Sequence, residues 1–276
     1  MSVNADQIAY WNALAGATWA QVQDSLDRQL APLGEAALGA LAAAPGETII
    51  DVGCGCGAST LDLARAVFPG GRVVGIDVSA PMLAVARARL EGITNATILQ
   101  ADAQSHDFAP AAADGVYSRF GVMFFDDPQA AFANLRRALK PGGRLAFVCW
   151  RPLAQNAWMA APLAAACAAL GETPPAGVPD APGPFAFADP QRIRTILASA
   201  GFAEIAVEAY DARMNGGPLE DAVAMALKVG PLGALVREQP NKAEPARAAV
   251  RAALAAFETP AGVLMPAAVW IVTAHA

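Results

Sequence analysis

The segment 49–57 constrains the fold more than any other part of the chain, because it combines the end of a strand, a glycine turn and the approach to a helix. Its two isoleucines end an apolar run, which is typical of a buried strand. A glycine turn between a strand and a helix lets a ligand lie directly against the backbone. The segment therefore predicts a nucleotide-type binding site, and its turn consists of three alternating glycines: Gly53, Gly55 and Gly57.

Two carboxylates accompany this turn. Asp51 closes the first predicted strand, and Asp77 closes a second one, twenty residues after Gly57. The spacing Gly53-x-Gly55-x-x-Ala58 also fits a dinucleotide fingerprint, so the glycines alone leave the ligand open. A carboxylate at position 51 would repel a pyrophosphate, whereas it suits an ammonium group. The acid therefore favours a nucleotide-like ligand that carries an amine and no phosphate.

The pattern Asp51-x-Gly53-x-Gly55-x-Gly57 with Asp77 resembles the first motifs of class I S-adenosylmethionine-dependent methyltransferases, in the bacterial small-molecule branch that includes ubiquinone/menaquinone-type enzymes. The resemblance implies S-adenosylmethionine as methyl donor and S-adenosylhomocysteine as product. It also implies a doubly wound, seven-stranded Rossmann-like α/β sheet with an antiparallel last strand and helical cap additions. Four further segments are similar to the family in the expected order: 74–83, 100–103, 114–121 and 139–145.

Strand and helix signals alternate through the middle of the chain, which is typical of a parallel, doubly wound sheet. Right-handed crossovers place the carboxyl ends of all such strands at one edge. Asp51, Asp77, Asp102 and the pair Ser118-Arg119 should therefore converge on one crevice. The strands are predicted at 48–52, 72–77, 96–100, 114–118 and 143–149.

Four regions are predicted along the chain. By the resemblance, strands at 204–210 and 267–273 complete the sheet as its sixth and seventh, and the helical segment between them lies over the substrate face. The first region is an N-terminal helical lid (1–45), and the second is a cofactor-binding core (46–150). The third is a helix with a Pro-rich insertion (151–189). The fourth (190–276) is the end of the sheet, with a helical insertion at about 211–262.

The resemblance also implies cofactor roles for individual residues. Asp51, through the loop or a water, would orient the methionine ammonium group, and Asp77 would accept both ribose hydroxyls. Asp102 would accept the adenine amine, although an acid at that point is also a common helix cap. Arg119 has two interpretations, a contact with a ligand carboxylate or a salt bridge to a neighbouring acid. The remaining predicted cofactor contacts are Gly53, Cys54, Gly55, Val78, Met82, Ala101, Ala103 and Ser118.

Methyl transfer from a sulfonium leaves a neutral thioether, so much of the catalysis can come from holding the acceptor in line with the breaking bond. His106 is the one weak catalytic candidate, and a solvated loop histidine is the favoured alternative. Aromatic and apolar residues provide candidates for a lid or acceptor pocket, with core packing as the alternative for each: Tyr10, Trp11, Trp19, Phe120, Met123 and Trp150. They favour a small apolar or aromatic acceptor.

Composition excludes several other classes. A net charge of −6 without a basic stripe argues against a nucleic-acid partner. The N-terminus lacks a secretion signal, and the longest uncharged apolar stretch, 157–170, is too short to span a bilayer, so a cytoplasmic, membrane-free protein is expected. Cys54 and Cys56 have no matching second pair, so no metal is expected.

Two other functions stay open. One is a nicotinamide-dependent oxidoreductase, against which Asp51 argues. The other is a non-catalytic protein that binds S-adenosylmethionine. The acceptor atom (O, N, C or S) and the oligomeric state are not fixed by the sequence, with a homodimer among the options.

Overall fold

A mixed sheet lies at the centre of the computed structural model, which describes residues 4–175, 177–178 and 181–276. Over those residues the sheet has eight strands, in the spatial order β3-β2-β1-β4-β5-β8-β6, with β7 paired to β8 alone. The strands are β1 (Thr48–Val52), β2 (Arg72–Asp77), β3 (Ala96–Gln100), β4 (Ala113–Arg119), β5 (Leu139–Trp150), β6 (Ala203–Asn215), β7 (Glu258–Thr259) and β8 (Gly262–His275).

The direction of the strands confirms the predicted fold class. Strands β1 to β5 are parallel to one another, and β8 runs antiparallel between β5 and β6. Strands β6 and β8 extend beyond their predicted ends, because they form a long ladder from Ala206↔Thr273 to Asn215↔Leu264. Strand β5 begins earlier than predicted, at Leu139, where it pairs with Ala113 of β4. The two-residue strand β7 was not predicted.

Helices cover both faces of the sheet. They are α1 (Ala5–Asn12), α2 (Leu14–Leu41), α3 (Ala58–Ala66), α4 (Ala80–Arg89), α5 (Pro128–Ala138), α6 (Ala157–Leu170), α7 (Pro190–Ser199), α8 (Leu219–Ala226), α9 (Gly230–Glu238) and α10 (Ala243–Ala255). Asp189 caps α7 by accepting a hydrogen bond from the Gln191 N–H. Helix α9 was not predicted as a separate element, because its two glycines, Gly230 and Gly233, weaken the helical signal.

Two apolar cores hold these elements. The larger core lies between the sheet and its helices, and the buried stripe of α2 (Leu26, Leu30, Leu33, Ala37 and Leu41) contributes to it. A second core joins α6, α8, α10 and the start of β8, through side chains such as Leu163, Val223, Val250 and Val263. We call these three helices together with α9 the helical cap. Within the described ranges, no helix is both long and apolar enough to cross a membrane.

Candidate cofactor and acceptor site

A cavity of about 600 Å³ opens where the parallel strands end. Its walls are the loops after β1, β2, β3 and β4, together with parts of α1, α2, α9 and the segment 182–185. Sheets of this kind bind ligands in the crevice at the carboxyl ends of their strands. The walls include most of the predicted site: Tyr10, Trp11, Trp19, Gly53, Cys54, Gly55, Asp77, Val78, Met82, Ala101, Asp102, Ala103, Arg119, Phe120, Met123 and Trp150.

The turn after β1 depends on glycine for two reasons. Gly53 has a φ of +67° and lies so close to the loop after β4 that a Cβ atom would stand 2.6 Å from Gly121 Cα. Gly55 has a φ of +53°, and a Cβ there would stand 2.7 Å from Met82 Cε. L side chains rarely adopt such φ values. The missing side chains therefore leave bare backbone facing the cavity.

Asp77 is fixed at the end of β2 by backbone donors. The Gly55 N–H donates to Oδ2 over 2.8 Å, and the Ser79 N–H donates to Oδ1 over 2.9 Å. Burial raises the pKa of Asp77, and these N–H groups oppose the rise. Each carboxylate oxygen keeps a further lone pair, so the group can accept two hydroxyls from a vicinal diol.

Asp51 lies behind the turn and does not line the cavity. It is fully buried, and its Oδ2 accepts hydrogen bonds from Ser59 Oγ (2.8 Å) and Thr60 Oγ1 (2.6 Å). Its Oδ1 has no hydrogen-bond partner among the described residues. Burial is the main reason that the pKa of Asp51 rises to about 6. Any effect of Asp51 on the ammonium group of a ligand would therefore be transmitted through the glycine turn that lies between them.

The sequence left two roles open for Asp102, a cap and a cofactor contact, and its position is compatible with both. Its Oδ1 accepts from the Gln104 N–H over 3.0 Å, which caps the turn after β3. The same oxygen accepts from Asn4 Nδ2 over 3.3 Å, and the residue lines the cavity. Capping the turn thus holds this carboxylate at the wall.

At the end of β4, the Ser118 hydroxyl has a structural role, while the predicted contact through the Ser118 carbonyl stays a prediction. Arg119 follows one of its two interpretations. Ser118 is fully buried away from the cavity wall, where its Oγ donates to Val52 O (2.8 Å) and accepts from the Gly121 N–H (3.1 Å). Its hydroxyl therefore ties β4 to β1. Arg119 lines the cavity, but its Nη2 is already paired with Asp27 Oδ1 at 2.8 Å, which matches the salt-bridge alternative.

His106 does not line the cavity. Its ring packs edge-on against Phe108, with the ring centroids 4.6 Å apart. Among the described residues, no histidine lies on the cavity wall. The structure thus gives no geometric support for His106 as a catalytic group.

Aromatic rings form one end of the cavity. Phe120 and Trp150 are stacked, with centroids 4.2 Å apart and planes 10° apart. Trp158 continues the row at 5.1 Å from Trp150. Phe120 holds this position with a φ of +62°, which is an uncommon conformation for a bulky residue. The backbone is therefore strained where the stacked pair meets the cavity.

The N-terminal helices close another side of the cavity. Trp11 packs edge-on against Trp19 and Phe124. Ser79 Oγ donates to the Trp11 carbonyl over 2.8 Å, which joins α1 to the loop after β2. Sequence reasoning missed three charged residues on the wall at or beside α9, because α9 was not predicted as a separate element: Lys228, Arg237 and Glu238.

The cysteines in the glycine turn remain neutral thiols near pH 7. Burial raises the pKa of Cys54 well above its ordinary value and that of Cys56 to about 12. In the described part of the chain, no group of three or more His, Cys, Asp or Glu residues could hold a metal ion.

Comparison with known proteins agrees with this site. Residues 49–143 match the family model described as a methyltransferase domain. The match confirms, for residues 49–143, the predicted resemblance to class I S-adenosylmethionine-dependent methyltransferases. The matched segment runs from β1 into β5, so the methyltransferase domain carries the glycine turn, Asp77 and Asp102.

Two curated relatives share this domain. Nocamycin O-methyltransferase from Saccharothrix syringae is 31% identical over 170 residues, which are 58% of this chain and 61% of that protein. The 2-phytyl-1,4-naphtoquinone methyltransferase from Thermosynechococcus vestitus is 40% identical over 103 residues, 37% of this chain and 46% of that protein. These matches span less than two thirds of either relative.

A solved structure supports the fold over nearly the whole chain. The [4+2]-cyclase SpnF matches 94% of this chain and 94% of its own, with a TM-score of 0.55 and 21% sequence identity. At that identity the likeness concerns the fold alone. Because a cyclase also has this fold, the fold alone does not determine which reaction a protein catalyses.

Proposed function

We propose that this protein transfers a methyl group from S-adenosylmethionine to a small, apolar or aromatic acceptor. The observation that carries the proposal is the joining of two unlike surfaces in one cavity. One surface is bare glycine backbone beside two fixed carboxylates, Asp77 and Asp102. The other is a row of aromatic rings that begins at Phe120.

The adenosine half of the cofactor fits the first surface. Asp77 would accept the two ribose hydroxyls, because both its oxygens are held in place and have lone pairs to spare. Val78 and Met82 would flank the adenine ring, and Met82 already lies beside Gly55, where any Cβ would clash. Asp102 would accept one hydrogen bond from the exocyclic amine.

The methionine half fits the glycine turn. Gly53 brings its backbone to the wall, and the buried Asp51 behind the turn supplies negative potential toward an ammonium group. Arg119 would interact with the methionine carboxylate through donors that its ion pair with Asp27 does not use.

When bound, the cofactor supplies a sulfonium-linked methyl group, whose loss leaves a neutral thioether and calls for no leaving-group acid. The chain's own residues would therefore act by position. Phe120 and Trp150 would hold the acceptor. Trp11 and Trp19, on the side closed by the N-terminal helices, would exclude water from the cavity. Holding reactants in line can supply much of such a rate enhancement.

The row of aromatic rings indicates which class of acceptor the cavity would bind. Stacked rings favour a planar or apolar partner over a strongly hydrated one. The two curated relatives are named for methylating nocamycin and a phytylated naphthoquinone, so a small-molecule acceptor suits this chain as well. The acceptor atom stays open between O, N, C and S.

A labelled-methyl assay tests this function. The protein would be incubated with methyl-labelled S-adenosylmethionine and a panel of phenols, reduced quinones, aromatic amines and thiols, with product detected by mass spectrometry. We expect at least one aromatic substrate to gain one methyl group, with one S-adenosylhomocysteine formed for each product. Tight binding of S-adenosylhomocysteine without turnover of any substrate would favour a non-catalytic binding protein. Binding of NAD in its place would favour the oxidoreductase.

A further inference from the structure

Asn4, just before α1, is a polar residue buried at the cavity wall. It is 8% exposed and has a φ of +66°. Gln7 lies one helical turn later and also lines the cavity. Residues three apart on a helix lie on the same face. The start of α1 therefore presents two amide side chains to the cavity.

The Asn4 amide is oriented by its neighbour. An ionised carboxylate only accepts hydrogen bonds, so the Nδ2 of Asn4 must face Asp102 Oδ1, to which it donates over 3.3 Å. The other end of the amide, Oδ1, is buried and has no hydrogen-bond partner in the part of the chain that the structure describes. The same holds for Gln7 Oε1, taken over the described residues.

Two buried amide oxygens therefore lack donors, and their residues line the same cavity as Asp102. Buried acceptors without donors cost free energy. A ligand edge with N–H donors would satisfy them. An exocyclic amine brings two such hydrogens.

We propose that α1 completes the adenine subsite: Asp102 accepts one hydrogen of the exocyclic amine, and the side-chain oxygens of Asn4 and Gln7 share the other. This inference rests on the proposed function, since it takes S-adenosylmethionine as the ligand. It adds two specificity-determining residues that lie outside the family match at 49–143.

The position of α1 links this subsite to the rest of the cavity. The Asn12 side chain donates to Val78 O (2.9 Å) and accepts from the Ala80 N–H (3.0 Å), so the far end of α1 rests on the loop after β2. The helix thus contacts both loops assigned to adenosine. Between those contacts it carries Tyr10 and Trp11 to the cavity wall.

Calorimetry with two matched ligands tests the proposal. S-Adenosylhomocysteine carries the exocyclic amine, and S-inosylhomocysteine carries a carbonyl oxygen there. In the double variant Asn4→Ala/Gln7→Ala, we expect affinity for the adenine ligand to fall about tenfold, the scale of one or two lost hydrogen bonds. Affinity for the inosine ligand should change less than about twofold, so the preference between the ligands should shrink about tenfold.

Controls separate the possible failures. Asp6→Ala removes an exposed side chain of α1 that does not line the cavity, and it should leave both affinities unchanged. The single variant Gln7→Ala, which keeps the bond between Asn4 and Asp102, should show part of the effect and guards against misfolding of the double variant. An equal loss for both ligands, or no loss, would overturn the proposal. If the wild-type protein bound neither ligand, the proposed function itself would fail.

Discussion

The backbone N–H of Gly55 donates a 2.8 Å hydrogen bond to the carboxylate of Asp77, although 22 positions separate them in the chain. This bond joins the glycine turn after β1 to the acid that ends β2. It fixes one carboxylate oxygen while the Ser79 N–H fixes the other. A ligand that meets the turn therefore also meets an oriented acceptor pair, which is the geometry that a ribose requires.

Replacing Asp77 should weaken cofactor binding. In Asp77→Ala the two ribose hydroxyls lose a charged acceptor, so we expect binding of S-adenosylhomocysteine to weaken by about 1.5–3 kcal/mol, measured by calorimetry. Asp62→Ala, which removes an exposed acid of α3 that does not line the cavity, is the matched control. Unchanged affinity in Asp77→Ala would remove this residue from the site.

Two glycine substitutions should change stability in opposite directions. Gly53→Ala places a methyl group 2.6 Å from Gly121 Cα at a positive φ, so we expect it to destabilise the fold by at least about 2 kcal/mol. Gly39→Ala lies in α2 with no atom within 4 Å of the new Cβ, and it should stabilise the fold by roughly 0.5–1 kcal/mol. Urea denaturation measures both changes. Equal effects at the two positions would contradict the packing of the turn.

The buried Asp51 should make stability fall as pH rises. Its pKa is about 6 in the folded protein against 3.8 as the ordinary value. Between these values the folded state holds a proton that the unfolded state has lost, so the free energy of unfolding decreases with rising pH. A difference of about two pH units between the two pKa values corresponds to about 3 kcal/mol.

The variant Asp51→Asn isolates this contribution. Its amide oxygen can still accept from Ser59 and Thr60, but it does not ionise. Denaturation curves at several pH values should show the wild-type protein losing stability relative to the variant between about pH 4 and pH 6, with no further change above that window. A constant difference across the window would mean that the pKa of Asp51 is not raised.

Trp150 should govern the acceptor and not the cofactor. Trp150→Leu removes the ring that stacks on Phe120, so we expect KM for an aromatic acceptor to rise about tenfold while affinity for S-adenosylhomocysteine stays within about twofold. Phe68→Leu, at an exposed aromatic residue outside the cavity, is the control. Similar losses in acceptor and cofactor binding would indicate a general structural role for Trp150.

Local sequence signals predicted the sheet and much of the cofactor wall. Apolar runs that end in glycine or aspartate placed β1, β2 and β3 at the residues where the structure has them, because those strands are short and bounded by strong turn signals. The order of the strands brought Asp77, Asp102 and Arg119 to one edge, as right-handed crossovers require.

Contacts between distant segments could not be predicted. The pairing of Arg119 with Asp27 depends on where α2 crosses the end of β4, and no local pattern encodes that crossing. The same limit applies to Asn4 beside Asp102, which are 98 positions apart. Ser118 resembled a site residue by position, yet its hydroxyl turned toward the β1 backbone. A cytoplasmic location, the absence of nucleic-acid partners, the four-region division of the chain and a homodimer stay predictions.

Calorimetric titration of the purified wild-type protein with S-adenosylhomocysteine, with NAD as the comparison ligand, tests the central claim most directly. We expect saturable binding of one S-adenosylhomocysteine per chain and no heat of binding for NAD. Absence of any binding of S-adenosylhomocysteine by a folded sample would contradict the proposed cofactor site.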